Sequence, residues 1–188
     1  MRLITGFEPF ISSGGLHLDV NPTDELARRV AADAKDVAVQ ILPVSFERTR
    51  TCLLDAFHTT RPRVWLGLGF APHRLTIDIE SVALNIEHCM RPDNDGDMPS
   101  LRPIVANAPT AYQTKLDIPE ACQRLSKFGL DARASVHAGG FLCNQSFFLG
   151  CHTAATESYL EVAVFIHIPP RPDYGPLTAG LVDLIEHL

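Results

Sequence analysis

Apolar and polar positions follow two rhythms along the 188-residue chain. Near-continuous aliphatic and β-branched runs occupy positions 2–6, 37–44, 64–68, 132–137 and 161–167, and the stretch 75–85 alternates apolar with polar residues. Short runs of this kind read as strands, most of them buried on both faces of a sheet covered by helices. Between them lie segments of helical length and amphipathic pattern at 22–34, 46–59, 118–128, 144–156 and 178–188. Their boundaries carry the expected signals: Asn21 before Pro22, Ser45 before Phe46, and Asp117 and Gly129 around the third segment. Alternation from end to end predicts an α/β fold, a three-layer sandwich of a mostly parallel or mixed sheet flanked by helices. No repeat, low-complexity tract or linker divides the chain, so one domain is expected over residues 1–188. Residues 89–101, with Pro92, Asn94, Gly96 and Pro99 among them, are predicted to form a surface loop.

A composition of 46% hydrophobic and 20% charged residues supplies an ordinary globular core. The formal net charge of -6 offers no basic field for nucleic acid or an anionic bilayer, which leaves a peptide or small molecule as the expected partner. No apolar run approaches the ~20 residues needed to span a membrane. The start of the chain, Met1-Arg2-Leu3-Ile4-Thr5-Gly6, is not followed by a secretory h-region, and a cytoplasmic protein is expected. The five cysteines, Cys52, Cys89, Cys122, Cys143 and Cys151, form no Cys-x-x-Cys pair, so reduced thiols are expected.

Several familiar chemistries fail on spacing. Gly67-x-Gly69 follows a strand, but Pro72 stands where a dinucleotide fingerprint needs its third glycine. Setting Gly96 at the sixth position of a calcium loop puts Arg91 first and Arg102 twelfth, where carboxylates are required. His-Glu-x-x-His and Gly-x-Ser-x-Gly motifs are absent. No metal or organic cofactor is expected.

What remains is His137-Ala138-Gly139-Gly140-Phe141-Leu142-Cys143-Asn144, a strand ending in a glycine pair before a helical pattern. A thiol at a helix start meets unpaired amides and the positive end of the macrodipole, which favour thiolate and can receive an oxyanion. Most free cysteines are small buried hydrophobes, but a packed thiol has no need of two glycines ahead of it. His167 closes the apolar run 162–166 at the carboxyl end of a strand, where open α/β sheets form their ligand crevice, and is the candidate base. A strand-end histidine bonded to a loop carbonyl is the plainer alternative. Glu80 is the candidate carboxylate to orient the histidine, and Asp78, on the same strand face, is its rival.

These residues fall within blocks that resemble pyroglutamyl peptidase I, the pyrrolidone-carboxylate peptidases. The blocks are Thr5-Gly6-Phe7-Glu8-Pro9-Phe10, Asn21-Pro22-Thr23, Leu42-Pro43-Val44, Glu80-Ser81-Val82-Ala83-Leu84-Asn85, Pro92-Asp93-Asn94, Ala138-Gly139-Gly140-Phe141-Leu142-Cys143-Asn144 and His167-Ile168-Pro169. They are colinear over nearly the whole chain. The resemblance implies a cysteine exopeptidase that removes N-terminal pyroglutamate from peptides, with Cys143 as nucleophile, His167 as general base and Glu80 as orienting carboxylate. It implies Phe7 and Phe10 as walls around the lactam, and a homo-oligomer, dimer or tetramer. Phe141 and Leu142 beside the thiol, Asn21, and Phe70 in the loop after Gly69 complete the expected substrate-binding set, although core packing is the commoner fate of a Phe or Leu.

The chain also departs from the family pattern. Phe70-Ala71-Pro72-His73 stands where Gln, Ala, Gly, Gly is common, Ser81 and Met90 stand where arginines are usual, and His137 replaces a common serine. Arg91 lies one place after the second missing arginine. These departures motivate two rival expectations: a diverged cysteine hydrolase of the same fold acting on another small amide or lactam, and a non-catalytic binding subunit.

Overall fold

The computed structural model of the chain describes residues 1–10, 20–171 and 173–188. In chain order its elements are β1 (Arg2–Phe7), α1 (Pro22–Asp33), β2 (Val37–Leu42), α2 (Phe46–Thr60), β3 (Val64–Phe70), β4 (Ile77–Glu80), β5 (Val82–Leu84), β6 (Ala111–Gln113), α3 (Ile118–Ser126), β7 (Ala132–Ser135), α4 (Leu142–Thr156), β8 (Val162–Ile168) and α5 (Gly175–Glu186). A six-stranded sheet has the order β2-β1-β3-β8-β4-β7. Its pairings are parallel except for β4 against β8, where Asp78 lies opposite His167. The sheet is therefore mixed, as the apolar runs predicted.

Each strand divides its side chains between two cores with a period of two. Ile4, Leu66, Leu68, Val164, Ile166 and Ile168 pack beneath α1, α3 and α5. Leu3, Trp65, Ala163 and Phe165 face the other way, against α2 and α4. That second layer holds Phe46, Phe57, Phe147 and Phe148, all almost fully buried. His167 continues the 163, 165, 167 series, so it points toward the layer that contains α4.

The helix starts follow the caps written in the sequence. Asn21 accepts from the Thr23 amide, Ser45 from Arg48 and Asp117 from Glu120. Helix α4 begins at Leu142, two residues earlier than its pattern suggested, and α5 begins at Gly175, with Pro176 in its first turn.

The predicted strand over 75–85 is a correction, because it breaks at Ser81. Both the amide and the hydroxyl of Ser81 donate to the Ser135 carbonyl, while the Ser81 carbonyl accepts from Thr114. With its hydrogen bonds divided in this way, the chain leaves the main sheet and pairs β5 with β6 as a separate antiparallel ladder. Three residues as polar as Ala111-Tyr112-Gln113 carry no strand periodicity, and β6 was not foreseen.

The loop 89–101 lies where expected but is anchored firmly. Asp93 accepts from the amides of Asp95, Asp97 and Phe46, the last at the first turn of α2, and the Asn94 amide donates to the Val44 carbonyl. Just before the loop, the fully buried Glu87 accepts from Arg50 at 2.8 Å, Arg102 at 2.7 Å and Gln145 at 2.7 Å. Replacing Glu87 with Ala leaves these donors facing a gap. The expected loss is about 3 kcal/mol of stability, measured by urea unfolding, with little change in cooperativity.

Candidate active site

Strand β8 delivers His167 between two neighbours, Gly69 of β3 and Asp78 of β4. The imidazole is 5% exposed. Its Nδ1 lies 2.7 Å from Oε1 of Glu80, which is completely buried at the end of β4. A carboxylate only accepts, so Nδ1 carries the proton in this bond and Nε2 is the ring nitrogen left for another partner. The sulfur of Cys143 lies beside the same ring, both of them bordering the backbone of Gly69. Cys143 is the second residue of α4, whose N-cap Phe141 makes no side-chain capping bond. First-turn amides have no carbonyl four residues back to bond, so those around Cys143 remain donors for an incoming anion.

Gly69 makes this meeting sterically possible. A Cβ there would stand 2.9 Å from Cδ2 of His167 and 3.0 Å from Sγ of Cys143. The glycine pair before the helix has a backbone role. Gly139 adopts φ +84°, and the Gly140 carbonyl accepts from the His88 amide at 2.8 Å. A Cβ on Gly140 would lie 2.7 Å from the His88 carbonyl oxygen.

Asp78, the rival carboxylate, is engaged elsewhere. Its oxygens accept from Arg74 at 2.7 Å, Arg133 at 2.8 Å and Thr76 at 2.7 Å. Burial would raise the Asp78 carboxyl, but these donors outweigh it and hold the group below the usual carboxylate range. Arg74 also reaches Glu80 Oε1 at 2.8 Å. Sequence reasoning missed Arg74, since an arginine in a loop is ordinarily solvated. Its only local signal is a spacing of four and six residues from the two carboxylates of an alternating strand.

The imidazole of His167 is pushed up to about 9. Burial opposes its protonation, but the charge and hydrogen bond of the Cys143 sulfur, followed by those of Glu80, override that cost. Cys143 and Glu80 thus act together in favour of the protonated imidazole.

A cavity of about 890 Å³ has Gly140 and Phe141, shortly before Cys143 in the chain, on its walls together with Phe10, Phe70, Pro72 and His88; Cys143, His167 and Glu80 do not line it. Three of the expected substrate-binding residues, Phe10, Phe70 and Phe141, thus border one space. The structure places the other three in the interior. Phe7 and Leu142 are 4% and 1% exposed within the α2/α4 core. Asn21 accepts from the Thr23 amide and hydroxyl and donates to the Glu8 carbonyl, tying the exit of β1 to α1. Met90 and Arg91 lie on the cavity's exposed rim. Asn144, next to the thiol, donates to the Leu84 and Ile86 carbonyls and accepts from the Leu84 amide, which locks β5 to the start of α4. Among the described residues no group of three His, Cys, Asp or Glu side chains is arranged to hold a metal ion, and no helix is long and apolar enough to cross a membrane.

A mixed α/β sheet carrying a cysteine at a helix start against a histidine at a strand end defines the class of cysteine hydrolases built on an open sheet. Comparison with known proteins narrows the class. The family model for pyroglutamyl peptidase matches residues 1–179. The pyrrolidone-carboxylate peptidase of Pyrococcus furiosus is 37% identical over 175 residues, covering 91% of this chain and 81% of that protein. That of Gloeobacter violaceus is 38% identical over 174 residues, covering 91% and 82%. A mutant pyrrolidone carboxyl peptidase from P. furiosus superposes with a TM-score of 0.88 at 31% identity, covering 100% of this chain and 99% of that one. The enzyme from Fervidobacterium islandicum gives 0.89 at 27% identity, covering 99% and 96%. The chain belongs to the pyroglutamyl peptidase family, and is a hydrolase of the cysteine-peptidase type.

The His167 shift has a definite sign. A folded value raised from 6.5 to about 9 adds stability that is complete below 6.5 and is lost as pH rises through about 9. In an NMR titration the His167 ring is expected to change charge near pH 9. In the Cys143→Ala variant the midpoint moves down, because burial still opposes protonation and the sulfur's charge is gone. An unmoved midpoint would contradict the Cys143 contribution.

Proposed function

We propose that this chain is a cysteine exopeptidase that removes the N-terminal pyroglutamyl residue from peptides, using Cys143, His167 and Glu80. The reading rests above all on the contact between Cys143 and the His167 imidazole, which Glu80 holds from the opposite ring nitrogen. His167 takes the thiol proton to give a thiolate–imidazolium pair, with Glu80 fixing the ring and supporting its charge. The sulfur attacks the pyroglutamyl carbonyl carbon, and the oxyanion forms against first-turn amides of α4, including that of Cys143. The imidazolium protonates the departing amine as the C–N bond breaks. His167 then takes a proton from water, which attacks the thioester, and release of pyroglutamate returns that proton to the sulfur.

The substrate class suits the cavity. Pyroglutamate is a flat, neutral ring with one N–H and one carbonyl, which aromatic walls such as Phe10, Phe70 and Phe141 can enclose. It has no α-ammonium to demand a carboxylate partner, and Asp93, the acid on the cavity wall, already accepts from three backbone amides. Phe7, Leu142 and Asn21 act in this reading from behind the lining, by packing and by tying β1 to α1. The family resemblance adds the proposals of one catalytic domain over residues 1–188, a cytoplasmic setting and a homo-oligomer, dimer or tetramer.

Cys143→Ala is expected to reduce turnover of a fluorogenic pyroglutamyl amide by at least about a thousandfold. Glu80→Gln is expected to lower kcat/KM by ~10²- to 10⁴-fold, since Gln can hold the ring in the wrong tautomer. With wild type, kcat/KM should fall as pH rises through about 9, where His167 loses the proton destined for the leaving amine. Undiminished turnover by Cys143→Ala would eliminate the mechanism. Faster cleavage of a free-amine aminoacyl amide than of its pyroglutamyl counterpart would instead favour a diverged hydrolase, in keeping with Phe70 and Pro72 on the cavity wall.

A further inference from the structure

Glu80 and Asp78 project from the same face of β4 about 7 Å apart along the strand, and both are buried, with 0% and 3% of their surfaces exposed. Two carboxylates so placed repel each other in a medium that screens poorly, and one of them takes up a proton unless a cation lies between them. One Arg74 nitrogen, Nη1, fills that role, 2.7 Å from Asp78 Oδ2 and 2.8 Å from Glu80 Oε1. It also lies 3.5 Å from the Ser135 hydroxyl. Arg133, 64% exposed on β7, pairs with Asp78 from the solvent side.

We propose that Arg74 is a positioning residue that aims the Glu80 carboxylate at His167 by bridging and neutralising the Asp78–Glu80 pair. The proposal rests on the Cys143–His167–Glu80 reading above and explains how its carboxylate survives burial. The charged and titratable groups around Glu80 are Arg74 from the 71–76 loop, Asp78 on β4, Arg133 on β7, His167 on β8 and, beyond the imidazole, Cys143 on α4. Glu80 has little else to rely on. Its Oε2 is buried without a hydrogen-bond partner among the described residues, so Oε1 serves both His167 and Arg74. Without the Arg74 bridge the carboxylate is no longer held against the imidazole, and the neutral thiol–imidazole form gains over the thiolate–imidazolium pair.

The test reads Cys143 itself and needs no assumption about substrate: its alkylation by iodoacetamide is followed against pH, with the modified site mapped by peptide mass. The rate near neutral pH reports the ion pair, and the rate at strongly alkaline pH reports a thiolate in any case. The expected neutral-pH order is wild type, then Arg74→Lys, then Arg74→Met with Asp78→Asn, then Arg74→Met alone. The last should lie at least about tenfold below wild type, with the alkaline rates equal in all four. The double variant removes the repulsion together with the guanidinium, so it carries the comparison if Arg74→Met fails to fold. The kcat/KM profile of Arg74→Met should lose its high-pH limb about one to three pH units earlier than wild type. Equal neutral rates in the variants, or a fall by the same factor at every pH, would overturn the positioning role. A wild-type Cys143 that is unreactive near neutrality would instead sink the underlying Cys143–His167–Glu80 reading.

Discussion

The bond between His167 Nδ1 and Glu80 is the constraint around which this site is built, and it is made across the junction where the sheet changes direction, with β4 and β7 running opposite to the other four strands. Strand β4 enters antiparallel beside β8, so the amino end of β4 meets the carboxyl end of β8, with Asp78 opposite His167. Glu80, two residues farther along, reaches diagonally to the imidazole. Antiparallel insertion thus converts a buried charge into a partner for the histidine.

The buried acids of this protein show how surroundings assign different work to the same functional group. Glu87 receives Arg50, Arg102 and Gln145, which saturate it and fasten the start of the 88–102 segment to α2 and α4. Asp93 is spent on three backbone amides and shapes the cavity wall. Asp78 is held by Arg74, Arg133 and Thr76. Glu80 alone among these four accepts from an imidazole that itself meets a thiol, and one of its oxygens has no hydrogen-bond partner among the described residues. Saturated carboxylates rigidify their surroundings, whereas a carboxylate whose partner changes charge can take part in proton transfer.

The departures from the family pattern fall in three places. Ser81 occupies the point where the chain leaves the main sheet, and its hydroxyl is used in that exit. Phe70, Pro72 and Met90 all border the cavity and make its wall bulkier and more apolar, while His137 is exposed and accepts from the Gly139 amide in the turn before α4. Thiol, imidazole and carboxylate still meet, while the changed residues alter the wall of the cavity.

Local chemistry made much of this legible. Side-chain period, caps such as Asn21, Ser45 and Asp117, and the stop at Gly129 act within a few residues, so the sequence by itself determined the helices, most strands and the layered class. It also marked Cys143, because a glycine pair before a helix is a local feature. Tertiary structure decided the rest. The break at Ser81 depends on carbonyl and amide partners at Ser135 and Thr114, which no window around Ser81 contains. Glu80 and Asp78 share one alternation, and residue resemblance alone favoured Glu80. Their separate roles follow from where Arg74, Arg133 and His167 arrive in space. Likewise Phe7 and Phe10 lie three positions apart in one motif, yet one is sealed in the core and the other borders the cavity. Periodicity records which face a side chain takes; only the packing of distant segments determines what it meets there.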